Sequence, residues 1–202
     1  MNREETLGIF IKEDLKSASK EFLSSTMLHL SKENKKETAM KFAQSVVKII
    51  NQAPSLRFLQ LVMLRFKALT GMPFYRFEAY GEGLYLMEPL AVAMVDLEWL
   101  YQAYNQFTSC LDNGSRRYLG KIGEDELNRI KMAQLWTCQK IVRHLFYEAI
   151  PYLFQSKEYQ NLNVEKKIQF HLGEYKGKYE VLLTKDEITE RLRGMLCELL
   201  LD

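Results

Sequence analysis

Long apolar runs are missing from this chain of 202 residues. Arg65, Lys67, Asp96 or Glu98 interrupt the hydrophobic stretches well short of the ~20 residues that cross a bilayer. The opening residues, MNREETLGIFIKEDLK, carry two acids ahead of a very short apolar run, which does not read as a signal peptide. Both absences lead to the expectation of a cytoplasmic protein with no membrane partner. An excess of charge is missing too: the formal net charge is +2, too small to argue for a nucleic-acid or lipid surface. The three cysteines, Cys110, Cys138 and Cys197, are odd in number and show no C-x-x-C spacing, so a reducing compartment without structural disulfides is expected.

Histidine is equally scarce, with only His29, His144 and His171. His29 with Glu33, and His144 with Glu148, stand four apart and share a helix face. H-E-x-x-H and paired Glu-x-x-His patterns are absent, so these pairs read as surface contacts and no metal is expected. The G-x-S-x-G elbow, the Walker A loop and the dinucleotide-binding glycine pattern are also lacking. With no nucleophile in a recognisable setting, no catalytic residue and no cofactor is assigned, and the reading leans away from an enzyme. Triads are defined in space, so a site assembled from distant residues is not addressed by this reasoning.

What is present is ordinary globular composition, 47% hydrophobic and 27% charged, somewhat rich in aromatics, with eleven Tyr and eleven Phe. A chain of this length buries roughly 70% of its unfolded surface and folds without staples. The stretch Glu88 to Leu111 dominates: Leu90, Met94, Leu97, Tyr101, Tyr104, Phe107 and Leu111 fall at helical spacing, widened by Val92, Trp99 and Leu100. It reads as the central helix of a bundle, with Pro89 in its first turn. Further helices are expected over Thr6 to Leu30, Thr38 to Asn51, Ser55 to Gly71, Leu127 to Ile150 (ended or kinked by Pro151) and Asp186 to Leu201.

Ile168, Phe170 and Leu172 alternate with polar residues, as do Tyr179, Val181 and Leu183. With Lys176-Gly177 as the turn, Leu172 faces Val181 and Phe170 faces Leu183. The expected fold class is therefore mainly α: a single-domain helical bundle of roughly six helices. It carries a small antiparallel β-hairpin near the C-terminus, with a second short hairpin as an option at 75–86. The expected organisation is one domain over 1–202, with a helical body at 1–155 and a hairpin-plus-helix appendage at 164–202.

Two places attract a functional reading. The segment 72–88, MPFYRFEAYGEGLYLME, gathers Tyr75, Arg76, Tyr80 and Tyr85, together with Glu78 and Glu82, at a break between two buried helices, and Tyr and Arg are favoured recognition residues. The bland alternative is that these rings cap the core. The connector Asn113 to Lys121 sets Arg116, Arg117 and Lys121 among glycines before a helix start, an arrangement suited to an anion. Its bland alternative is a solvated loop balancing Glu124, Asp125 and Glu126. Lys166, Lys167, Lys176 and Lys178 on the hairpin suit edge protection better than DNA.

The expected function is thus non-enzymatic and plausibly regulatory, exerted through protein–protein interaction or self-association, with a protein partner or a homo-oligomer. The alternative is a small-molecule sensor or carrier whose pocket lies between 72–88 and the helix 88–111. A nucleic-acid-binding regulator ranks below both.

Overall fold

The computed structural model describes residues 2–53, 55–72, 74–161, 168–175 and 177–184. The chain groups into two compact units. One comprises Met1–Lys35, Arg65–Pro73 and Leu97–Ile141, the other Lys36–Leu64, Phe74–Asp96 and Val142–Asp202.

The first unit is helical. Helix α1 (Arg3–Phe10) starts on a capping box: Asn2 Oδ1 accepts the Glu5 N–H at 2.8 Å, and Glu5 Oε2 accepts the Asn2 N–H at 2.9 Å. A π-helical turn (Ile11–Leu15) leads into α2 (Lys16–His29). Short α4 (Arg65–Leu69), α5 (Glu98–Arg116) and the first part of α6 (Glu124–Gln155) complete the unit. Phe22 of α2 meets Phe107 of α5 edge-on at 6.1 Å, and Phe10 meets Tyr118 at 5.9 Å.

The second unit is built on a sheet. Its strands are β1 (Phe58–Met63), β2 (Tyr75–Tyr80), β3 (Ala91–Met94), β4 (Gln169–Glu174) and β5 (Tyr179–Thr184). They form one five-stranded sheet in the order β3-β2-β1-β4-β5. Strands β1 and β4 run parallel, and every other neighbouring pair is antiparallel. On one face Phe77 meets Phe42 of α3 (Lys32–Gln52) at 5.7 Å, and Phe170 meets Phe146 of α6 at 5.3 Å. Leu59, Leu61, Phe77, Ala79, Phe170 and Leu172 are all buried there. Fully burying each of the larger of these side chains contributes roughly 1.5–3 kcal/mol before cavity effects.

The expected helical bundle with a small hairpin is therefore wrong, because a mixed sheet organises half the chain. Two stretches read as helix are strands. The run Phe58-Leu59-Gln60-Leu61-Val62-Met63 is buried on both faces except at its first residue. A strand buried on both faces carries no period of two, so its apolar run looks like buried helix. Residues 91–94, assigned to the central helix, form edge strand β3, and the helix starts only at Glu98. Leu97 and Leu100 are buried as expected, but Leu90 is 46% exposed.

The expected hairpin at 75–86 is half right: 75–80 is a strand, but Leu84–Leu86 is a 3-10 turn, and β2 pairs with β1 and β3 instead. Strands β4 and β5 pair as anticipated, with Phe170 opposite Leu183. An irregularity after Phe170 moves Leu172 opposite Glu180 rather than Val181. Their close approach needs Gly173, where a Cβ would stand 2.5 Å from the Lys178 carbonyl oxygen.

Of the two outcomes expected at Pro151, an end or a kink, the end does not occur: helix α6 runs on to Gln155 with Pro151 inside it. Buried Ile150 and Leu153 hold its last turn by packing. Lys176, the capping box from Thr184 and the expected last helix, 186–201, lie outside the described side chains or residues. Among the described residues no helix is long and apolar enough to cross a membrane.

Candidate functional site

Strand pairing lines up one row across the second face of the sheet: Val92, Glu78, Gln60, His171 and Val181 are successive cross-strand partners from β3 to β5. The middle three are polar and only 0–2% exposed, whereas Val92 and Val181 are 46% and 51% exposed. The usual arrangement, apolar centre and polar rim, is inverted along this row.

The buried centre is held by its own hydrogen bonds. Arg76 Nε donates to Glu78 Oε1 at 2.7 Å, with a second guanidinium nitrogen on the same oxygen, and the Tyr80 hydroxyl donates to Oε2 at 2.8 Å. Such charge-assisted bonds are what a buried carboxylate needs. The Arg76 guanidinium also lies over the Tyr175 ring, 4.9 Å from its centroid. Gln60 Nε2 approaches His171 Nδ1 at 3.2 Å, and His171 Nε2 approaches Gln169 Oε1 at 3.0 Å. That assigns the imidazole a neutral form, Nδ1 accepting and Nε2–H donating. Burial lowers the His171 pKa, which favours the same form. Tyr179 stacks on this ring at 4.6 Å.

Arg76 and Tyr80, singled out from the sequence, thus converge on Glu78. Tyr75 belongs to the opposite face, fully buried with its hydroxyl 3.7 Å from Met63 Sδ. Tyr85 lies in the 3-10 turn, and its side chain is outside the described atoms. Gln60 and His171 were missed. The available signal was a lone polar residue at the centre of each of two apolar stretches, LQL and FHL.

The cationic connector has a different fate. Helix α5 absorbs Asn113 to Arg116. Gly114 admits Asp14 of the π-helical turn so closely that a Cβ would stand 2.6 Å from Asp14 Oδ1. Arg117 pairs with Asp14, and the Tyr118 hydroxyl donates to its Oδ2 at 2.7 Å. An internal carboxylate therefore occupies the guanidinium expected to meet an external anion. Arg116 and Lys121 are exposed.

Reactive chemistry is sparse. Burial pushes the Cys138 thiol far above its ordinary range, and burial together with neighbouring Glu21 raises Cys110, so neither forms a thiolate at neutral pH. Among the described residues no group of three or more His, Cys, Asp or Glu is placed to hold a metal.

Among the described residues a groove and a sheet edge stand open to a partner. A groove of about 570 Å³ runs along α3, lined by Met40, Ala43, Val47 and Lys48, and reaches Tyr152 and Glu158 at the join of α6 and α7 (Lys157–Gln160). The other is the rim at β3. Leu86, Met87, Leu90, Val92 and Met94 are 94%, 68%, 46%, 46% and 45% exposed within nine residues of chain. Strand β3 is also an edge of the sheet. No known protein family, curated protein or solved structure matches this chain.

Proposed function

We propose that this chain works in the cytoplasm without catalysis, by associating with protein through the β3 edge. The observation that carries the reading is the exposed apolar ribbon from Leu86 to Met94 on an edge strand. An edge offers a row of backbone donors and acceptors, and proteins ordinarily guard it with lysine, proline or a bulge. From Ala91 to Met94 this edge carries none of these guards. Strand addition at such an edge draws affinity from main-chain hydrogen bonds and specificity from alternate side chains, here Val92 and Met94. Pull-down from the native lysate with the wild-type chain and with Val92→Lys tests it. Proteins retained equally by both would overturn the assignment to this edge.

A second reading has its own support. The α3 groove has the volume of a small-molecule site and a mainly apolar lining with a few polar groups, Gln44, Lys48 and Asn51 among them. In that reading the chain carries or senses a small apolar ligand. Native mass spectrometry of freshly purified protein checks it, since a retained small molecule lost in Ala43→Trp would favour the groove.

A further inference from the structure

Resting on the association reading, we infer that the occupant of the β3 edge is a second copy of this chain, paired antiparallel about a two-fold axis through Ala93. The backbone directions set which residues are available. Arg76, Glu78 and Tyr80 of β2 sit opposite β1, with Leu64 N–H donating to the Phe74 carbonyl. The alternate residues Tyr75, Phe77 and Ala79 therefore turn their backbone groups toward β3. Val95 N–H donates to the Tyr75 carbonyl at 3.2 Å, and Ala93 and Ala91 stand opposite Phe77 and Ala79. By the antiparallel alternation, Val92 and Met94 point their N–H and C=O groups outward. Among the described residues the free edge is thus Val92-Ala93-Met94.

A two-fold axis pairs this tripeptide with itself. Val92 of one copy lies opposite Met94 of the other, and each such pair exchanges N–H···O=C bonds in both directions. Ala93 meets Ala93 between them as a non-hydrogen-bonded pair. The same register sets Val92 and Met94 of both copies side by side on one face, forming an apolar patch from four half-exposed side chains.

Charge does not oppose a like partner at this edge. Near a two-fold axis every residue meets its own kind or a close neighbour, so a charge there is repelled by its own image. From Pro89 to Val95 the chain has no charged residue. The opposite edge cannot do this: β5 carries Glu180, which pairs with Arg143 of its own unit. The net charge of +2 per copy adds little repulsion. A ladder of this length buries little surface, so the dimer is weak and concentration-dependent rather than obligate.

Three measurements on the full chain test this. Light scattering across a concentration series is expected to show a monomer–dimer equilibrium, lost in Val92→Lys and in Met94→Glu, each still folded by its thermal melt. Mixing those two variants is expected to restore a heterodimer, because the register places the two new charges opposite each other. Ala93→Cys, treated with oxidised glutathione, is expected to yield a covalent dimer whose linked peptides map to residue 93, since non-hydrogen-bonded partners stand about 4.5 Å apart at Cα, within disulfide range.

A dimer untouched by both charge variants and giving no link at 93 overturns the proposal and the β3 edge together. A strict monomer overturns the second copy alone if a fluorescent peptide of residues 88–97 still binds wild-type but not Val92→Lys. A strict monomer that ignores the peptide overturns both.

Discussion

One face of the sheet holds two environments a few residues apart. At its centre Glu78, Gln60 and His171 are buried and polar; at its rim Val92, Met94 and Val181 are exposed and apolar. Burial at the centre is tolerated because every group there except Gln60 Oε1 has a partner. Exposure at the rim has no such local account, which is why the rim at β3 rather than the centre is assigned to a partner. The centre works through hydrogen bonds already made within the chain, the rim through contacts still to be made outside it.

The comparison breaks most visibly if the centre proves dispensable. Glu78→Ala removes the carboxylate from under Arg76 and Tyr80 and is expected to cost about 3–5 kcal/mol of unfolding free energy. Urea denaturation measures it, and a loss below 1 kcal/mol, roughly the worth of an exposed pair, would mean that the row is not a structural unit. His171→Phe leaves both ends of the Gln60 amide without a partner, and about 1–3 kcal/mol is expected by the same measurement.

The protonation of His171 sharpens the contrast further. Its folded pKa is depressed by burial, so the unfolded chain binds the proton more readily. Stability is therefore full above the ordinary imidazole range, about 6.5, and declines as pH falls through it. Melting temperatures compared at neutral and mildly acid pH are expected to drop on acidification, and to drop less in His171→Gln. At the rim the order reverses: Val92→Lys is expected to change monomer stability by only about 0.5 kcal/mol while abolishing association. Equal effects of Glu78→Ala and Val92→Lys on folding would erase the distinction.

Where hydrophobic period and burial agree, the chain was legible. The stripe Leu100, Tyr101, Tyr104, Phe107 and Leu111 is the buried side of α5, and Cys138 is a fully buried small hydrophobe on α6. The alternation of Tyr75 to Tyr80 announced β2, and the segment that gathered Tyr75, Arg76, Glu78 and Tyr80 does bring Arg76 and Tyr80 onto Glu78, although as a contact within the chain and with Tyr75 on the other face. Strand β1 was illegible because it is apolar on both faces. Its pairing on both sides, antiparallel with β2 and parallel with β4 more than a hundred residues away in sequence, is what distinguishes it from a helix. Strand β3 was illegible for the opposite reason: Ala-Val-Ala-Met satisfies a helical stripe as well as a strand, and the backbone of β2 decides.

The sequence by itself determined the longer helices α2, α3, α5 and α6, because a period of 3.6 written over many turns is a local property, whereas the short runs that became β1 and β3 read as helix for want of their distant partners. It also determined the absence of the short motifs of familiar catalytic and metal sites. Only the tertiary structure decided that Gln60, Glu78 and His171 form one row, and that Val92 and Met94 are left at an edge. Those facts depend on which strands lie side by side, and the order β3-β2-β1-β4-β5 is set by contacts between residues far apart along the chain.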